Sequence, residues 1–236
     1  MKCWIGLALT FVVLPAIAQI SDDMMCTNAD PDTAIEGCTT AIESGEETPA
    51  NLEIDYYNRA NAYSAKGLYD FAIADDTRAI ALNPSNAHAY ANRGSAQNAE
   101  GRYDKAIADQ SKAIELDPQD RIAYLDRGAA YDAKGLHDQA IADDTSAIGL
   151  DPNFAPAYND RAWALHEKGE DAKALPDAEK AVALTSQNAR TLETRAEIYE
   201  KLGQRSKAIA DYRAVLKLVP DEEASKRGLK RLGAKL

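Results

Sequence analysis

"AIADDTRAIALNP", residues 72–84, returns as "AIADQSKAIELDP" at 106–118 and as "AIADDTSAIGLDP" at 140–152. Taken alone, Asp75–Asp76 suggests a metal-ligand pair or an acid/base couple. The even spacing of the three copies changes the question, because a fixed period of this length marks a stacked repeat architecture. Ala72, Ile73, Ala79, Ile80 and Leu82 fall at helical spacing on one side, and the later copies keep the pattern.

Extended in both directions, the period gives five units starting at Glu53, Ala87, Arg121, Ala155 and Ala189 and ending at Pro220. Their bounds are 53–86, 87–120, 121–154, 155–188 and 189–220. Each has a first helix such as "AYANRGSAQNAEG" and a second such as "YDKAIADQSKAIELDP". Between them stands Gly67, Gly101, Gly135, Gly169 or Gly203, where a left-handed residue ends the first helix. Pro84, Pro118, Pro152 and Pro220 close four second helices, and Ser186 takes that place in the fourth unit. Small residues recur where paired helices cross: Ala60, Gly94, Gly128, Ala162 and Ala196, and Ala72, Ala106, Ala140, Ala174 and Ala208. Tyr56, Tyr90, Tyr124 and Tyr158 supply bulk against the neighbouring pair.

An aspartate, Asp75, Asp109, Asp143, Asp177 or Asp211, recurs at one slot of every unit. So does an arginine of the first helix: Arg59, Arg93, Arg127, Arg161 and Arg195. Each arginine stands about as far before its own aspartate as after the aspartate of the preceding unit. Between antiparallel helices either spacing brings opposite charges within reach. A ladder of structural Arg–Asp pairs is the expectation, with no catalytic residue among them. Asp76 and Asp144 stand one slot later, where other units carry Gln110, Ala178 and Tyr212. A slot accepting four residue types is not a strict ligand position, and it is read as partly exposed packing.

Segment 1–18 reads differently. After Lys2 runs "WIGLALTFVVLPAIA", an apolar stretch ending in Ala16-Ile17-Ala18, the pattern of a secretory signal cleaved after Ala18. It is short for a membrane span, and the expectation is a periplasmic or secreted protein with no stable membrane insertion. Removing one lysine from 27 basic and 38 acidic residues leaves a net charge of −12 (26 minus 38). A chain this acidic repels nucleic-acid phosphates and anionic lipid. Cys3 leaves with the signal; Cys26 and Cys38 read as one disulfide in an exported chain, with a metal pair or free thiols as alternatives.

At Tyr124, Gly128, Tyr131, Gly135, Ala140, Ala147 and Pro152 the sequence resembles the tetratricopeptide repeat family, and the match spans residues 53–220. Its flavour resembles repeat proteins common among exported bacterial proteins. The resemblance implies an all-α fold, a right-handed α-solenoid of antiparallel helix pairs whose first helices line a concave groove. By that register the groove floor includes Tyr57, Asn61, Ser64, Asn92, Ser95 and Asn98, then Leu125, Asp126 and Asp132, then Asn159, Trp163, His166 and Glu197. Trp163 is either an anchor for a peptide or a packing residue of the fourth unit, which also carries Pro176 inside its second helix. The family's chaperone-binding subgroup clamps a terminal carboxylate with lysine and asparagine; here the floor has amides but no lysine, which argues against that role.

Segment 19–52 contains "DPDTAIEGCTTAIESG" (30–45), which resembles a lone second helix and would cap the first repeat, with "SGEETPANLE" as an extended loop after it. Segment 221–236 contains "EEASKRGLKRLGAKL", an amphipathic basic helix that would cap the last. His88, His137 and His166 occupy different slots, form no HxxxH pair and meet no cysteine, so no metal and no cofactor are expected. Phosphate-binding and nucleophile-elbow motifs are missing. The expected function is a non-catalytic scaffold binding another protein or peptide segment. The alternative is an accessory subunit of an envelope-assembly, secretion or enzyme complex.

Overall fold

The computed structural model describes Cys26, residues 30–185 and residues 187–235. The signal segment expected over 1–18 lies outside them, as does Ser186. The chain divides into two compact units, Met1–Pro84 and Ser85–Leu236. Both are all-α, with no strand among the described residues.

In the first unit, α1 (Pro31–Ser44), α2 (Pro49–Ala65) and α3 (Tyr69–Leu82) pack in sequence order. Asp30 caps α1 by accepting from the Thr33 N–H at 2.9 Å, and Gly45 ends it at φ +68°. α2 starts earlier than a 44–53 loop allows. The Thr48 hydroxyl accepts from the Asn51 N–H at 3.2 Å and Pro49 fills the first helical position, two start signals that outweigh the polar composition. Ala34, Cys38 and Ala41 of α1 and Ala60 of α2 are buried.

A disulfide joins Cys26 to Cys38, with Cα atoms 4.5 Å apart and both residues buried. It closes a short loop whose constraint on the unfolded chain contributes about 3 kcal/mol. Replacing both cysteines by alanine is expected to lower the stability of the first unit by about that amount, read by thermal melting under non-reducing conditions. An unchanged melting curve would show that the bridge contributes nothing.

The second unit runs α4 (Ala87–Ala99), α5 (Tyr103–Leu116), α6 (Arg121–Ala133), α7 (His137–Leu150), α8 (Ala155–Glu167), α9 (Asp171–Thr185), α10 (Ala189–Lys201), α11 (Arg205–Leu218) and α12 (Glu223–Arg231). Each helix packs on the next. The first helices α4, α6, α8 and α10 also touch in a row, the arrangement of an α-solenoid. Side-chain caps from Asn86, Asp120 and Asn188 start α4, α6 and α10. The glycine turns Gly101, Gly135, Gly169 and Gly203 all take φ between +71° and +75°, a conformation that costs other residues energy.

Alanine builds this core. Ala106, Ala113, Ala123, Ala130, Ala162, Ala174, Ala178, Ala196 and Ala208 are fully buried, so helices approach closely and bulk enters only at seams. Ala162, Ala174, Ala178 and Ile198 form one cluster, walled by Leu165, Leu175 and Leu202. Ala196, Tyr199, Ala208, Tyr212 and Leu229 form another, where α12 covers α11. A Cβ on Gly228 would stand 2.4 Å from the Tyr212 ring, so only glycine lets α12 sit down on that tyrosine.

Candidate functional site

The recurrent charges are tied up in pairs, which decides what cannot react freely. Arg59 meets Asp75 through Nε at 2.7 Å and Nη2 at 2.9 Å, and Arg93 meets Asp109 at 2.7 Å through both nitrogens. Arg127–Asp143, Arg161–Asp177 and Arg195–Asp211 repeat the two-pronged contact at 2.7–2.9 Å. Every pair joins a first helix to the second helix of its own repeat. At Arg127 and Arg161 the third nitrogen reaches back one repeat, as Arg59 Nη1 in the first unit reaches Thr39 Oγ1 of α1 at 2.9 Å. Arg127 Nη1 donates to Ser111 Oγ and Arg161 Nη1 to Thr145 Oγ1, each at 3.0 Å.

The rings of Tyr124 and Tyr158 lie under these guanidinium groups, 5.7 and 5.8 Å from centroid to carbon. Packing and charge therefore meet at one point. The arginine pKa values are raised where resolved; for Arg127 the hydrogen bond to Asp143 leads, while burial acts in the opposite direction. A carboxylate gripped by two donors has little capacity left to bind metal or shuttle protons.

The neighbouring slot corrects the sequence reading. Asp76, Gln110, Asp144, Ala178 and Tyr212 are all buried, between 0 and 1% exposed, where partly exposed packing was expected. Gln110 Nε2 passes beneath Gly94 and donates to Ala91 O at 2.9 Å, and to Ser95 Oγ and Asp126 Oδ2 at 3.3 Å. Asp144 lies beneath Gly128, its Oδ1 3.2 Å from the position of an added Cβ. Tyr212 turns instead to the following helix and packs under Gly228 of α12. The slot varies because each occupant fits its own neighbours across the seam, not because solvent tolerates anything there. Burial, then the charges of Asp160 and Asp143, push the Asp144 carboxyl up to about 9, so it is neutral at pH 7.

Tyr57 and Asn61 lie half-buried on α2 of the first unit, which also carries Ser64. In the second unit α4 carries Asn92, Ser95 and Asn98; α6 carries Leu125, Asp126 and Asp132; α8 carries Asn159, Trp163 and His166; and α10 carries Glu197. Several of these meet. The Ser95 hydroxyl donates to Asp126 Oδ2, and Asn98 Nδ2 donates to the Asp126 carbonyl at 2.7 Å. Burial raises the Asp126 carboxyl despite the Ser95 bond. Asp160, one repeat later, accepts from Asn159 Nδ2 at 3.3 Å and from Arg190 Nη2, and burial raises it too. Trp163 stacks obliquely on His166, with ring centroids 5.6 Å apart and planes at 46°.

Two histidines have partners that slot-by-slot reading missed. His137 Nδ1 bonds Asp132, and His166 Nδ1 bonds Asp171. The acid and the base have exchanged places, since 132 and 166 are equivalent and so are 137 and 171. Comparing the two positions jointly, from one repeat to the next, was the signal that would have found them. Both pairs clasp the end of a first helix to the start of the second, across Gly135 and Gly169. Among the described residues, no group of three or more His, Cys, Asp or Glu side chains is placed to hold a metal ion. None of the described helices is long and apolar enough to cross a membrane.

No curated protein is a significant match to the chain. Among solved structures, PilW, a widely conserved type IV pilus biogenesis factor, is similar with a TM-score of 0.75 and 20% identity, over 91% of this chain and 99% of PilW. YrrB, a TPR protein with an unusual peptide-binding site, gives 0.63 and 22% identity over 83% of this chain and 99% of its own. TTC0263, a thermophilic TPR protein of Thermus thermophilus, gives 0.63 and 23% over 76% and 98%. At these identities the likeness shows the fold alone. Family models described as TPR repeat or tetratricopeptide repeat match residues 56–86, 77–108, 95–135 and 189–222. With the glycine turns, the alanine crossings and the stacked first helices in the same register, the chain belongs to the tetratricopeptide repeat family.

Proposed function

We propose that this chain is a non-catalytic interaction scaffold that holds a segment of another protein against its first helices, without turnover. One observation carries the reading. The first helices α4, α6, α8 and α10 stand side by side and present amide, carboxylate and hydroxyl side chains, with the half-buried Trp163 among them. Such a surface combines hydrogen-bonding capacity for an extended backbone with one aromatic anchor. The bidentate arginine contacts on the recurrent aspartates support the absence of chemistry at those positions. The membership in a family of interaction scaffolds supports it as well.

The proposed working place is outside the cytoplasm, in the periplasm or beyond. The apolar run after Lys2 and the buried Cys26–Cys38 bridge support that, since such bridges persist in oxidising compartments.

Crosslinking and capture from the producing cell tests the reading. The wild-type protein should recover a specific partner, and Trp163→Ala should recover it with yield reduced by about tenfold or more, while its melting temperature stays close to wild type. Equal recovery by both proteins removes Trp163 and its surroundings from the binding surface.

A further inference from the structure

Between α8 and α10 lies a pocket of roughly 340 Å3, lined by Asn159, Trp163, Arg190, Glu193, Thr194 and Glu197, with Ala224 of α12 at one edge. Its size falls in the range of sites that hold a small group. We propose that this pocket receives a cationic side chain, arginine or lysine, from the bound protein segment; the inference rests on the groove reading above and names the chemistry it selects.

The wall is made of acceptors. Asn159 is 2% exposed, and its Oδ1 has no hydrogen-bond partner. A buried carbonyl oxygen left without a donor is costly, and Asn159 lines the pocket. Glu193 and Glu197 contribute two carboxylates one helical turn apart. The Trp163 indole adds a π face, to which a guanidinium or ammonium is attracted.

The local cations do not meet this demand. Arg190, exposed at the pocket rim, is tied to Asp160. Arg231 is held by Glu200, at 2.8 and 2.9 Å. His166 Nε2 stands 3.9 Å from Glu197, beyond hydrogen-bonding distance, while its Nδ1 is held by Asp171. Glu193 has the Ser225 hydroxyl at 3.1 Å, a neutral donor. Burial raises both carboxyls, outweighing the opposing charges of Arg227 near Glu193 and of His166 and Arg231 near Glu197, so the cations already present do not offset the desolvation. An arginine fork or a lysine ammonium would supply donors to Asn159 Oδ1 and a counter-charge to both glutamates. An acidic or apolar side chain would leave Asn159 Oδ1 without a donor and would bring no counter-charge to either glutamate.

The test uses the full chain and four peptides, acetyl-Gly-Ser-Xaa-Ser-Gly-amide, with arginine, lysine, citrulline or glutamate at Xaa. The Trp163 indole N–H resonance, assigned with Trp163→Phe, reports binding. Arginine and lysine peptides should shift it saturably, and citrulline, equal in shape but neutral, should bind at least about tenfold more weakly. The Glu193→Gln/Glu197→Gln double variant should weaken the arginine peptide by a similar factor. Citrulline binding as well as arginine, no loss in the double variant, or no shift by either cationic peptide would each overturn the proposal. Charge-blind shifts along α4, α6 and α8 would leave the groove reading standing while removing the cationic pocket. Shifts confined to Glu115 and Ser146 on the second helices would remove the groove reading itself.

Discussion

Arg127→Ala is expected to lower the free energy of unfolding by about 3–5 kcal/mol, the cost of leaving one member of a buried pair alone. The Asp143 side chain is 8% exposed, and both its oxygens are held by Arg127 at 2.7 and 2.8 Å. Without the guanidinium it is a buried carboxylate with too few donors. The same change removes the 3.0 Å bond to Ser111 and the cover over Tyr124, so it loosens two repeats at once. Asp143→Ala should cost less, because the stranded arginine is longer and can reach water. The double variant should lose less than the two single losses together, since the second change removes a group that the first had already stranded. Denaturant unfolding of the three variants measures this. Simple additivity would mean that the pairing within a repeat carries no coupling energy.

Asp144→Asn should act in the opposite direction. The native carboxyl is held neutral up to about 9, whereas an unfolded aspartate ionises near 3.9. Between those values the native state binds a proton that the unfolded state has released. The group's contribution to stability is therefore whole below about pH 4 and is lost progressively as pH rises toward 9. At pH 7 the loss amounts to about 4 kcal/mol. Asparagine keeps the shape under Gly128 and cannot ionise. The variant should melt close to wild type at pH 4, clearly above it at pH 7, and further above at pH 9. Asp143, Asp160, Asp132 and Arg161, the charges facing this carboxyl, are the same in both proteins and largely cancel in the comparison. A stability difference that does not grow with pH would show that Asp144 ionises normally in the folded chain.

These two residues also show where sequence reasoning ended. The helical alternation, the glycine turns and the alanine crossings were all legible, because each is a local requirement repeated in every unit. The partner of each arginine was not, because its own aspartate and the preceding one both come within reach between antiparallel helices. Only the packed geometry, with Nη1 turned back toward Ser111 or Thr145, separates them. The slot of Asp76 and Asp144 misled for a physical reason. Variety at one position was taken as exposure, yet Gln110 is matched by Ser95 and Asp126, and Tyr212 by Gly228. Covariation between slots, not tolerance within one, was the informative pattern.

The candidate site was legible in outline only. Family register named Asn159, Trp163 and Glu197 of the pocket, and His166 beside Trp163, but the pocket's Glu193, Thr194 and Arg190 were not among the candidates. Glu193 stands one helical turn before Glu197 on α10, and its role depends on α12 lying alongside, which no local pattern announces.

The central claim is that the first helices bind and the second helices hold them in place. Site-specific photocrosslinking tests it most directly, with a photoreactive residue placed singly at Asn92, Leu125, Glu115 or Ser146 of the full chain in its producing cell. Asn92 and Leu125 stand on first helices, Glu115 and Ser146 on second helices. The expected result is one partner captured from Asn92 and Leu125 and little or none from the other two. Capture of that partner from Glu115 and Ser146 at equal or greater yield would contradict it.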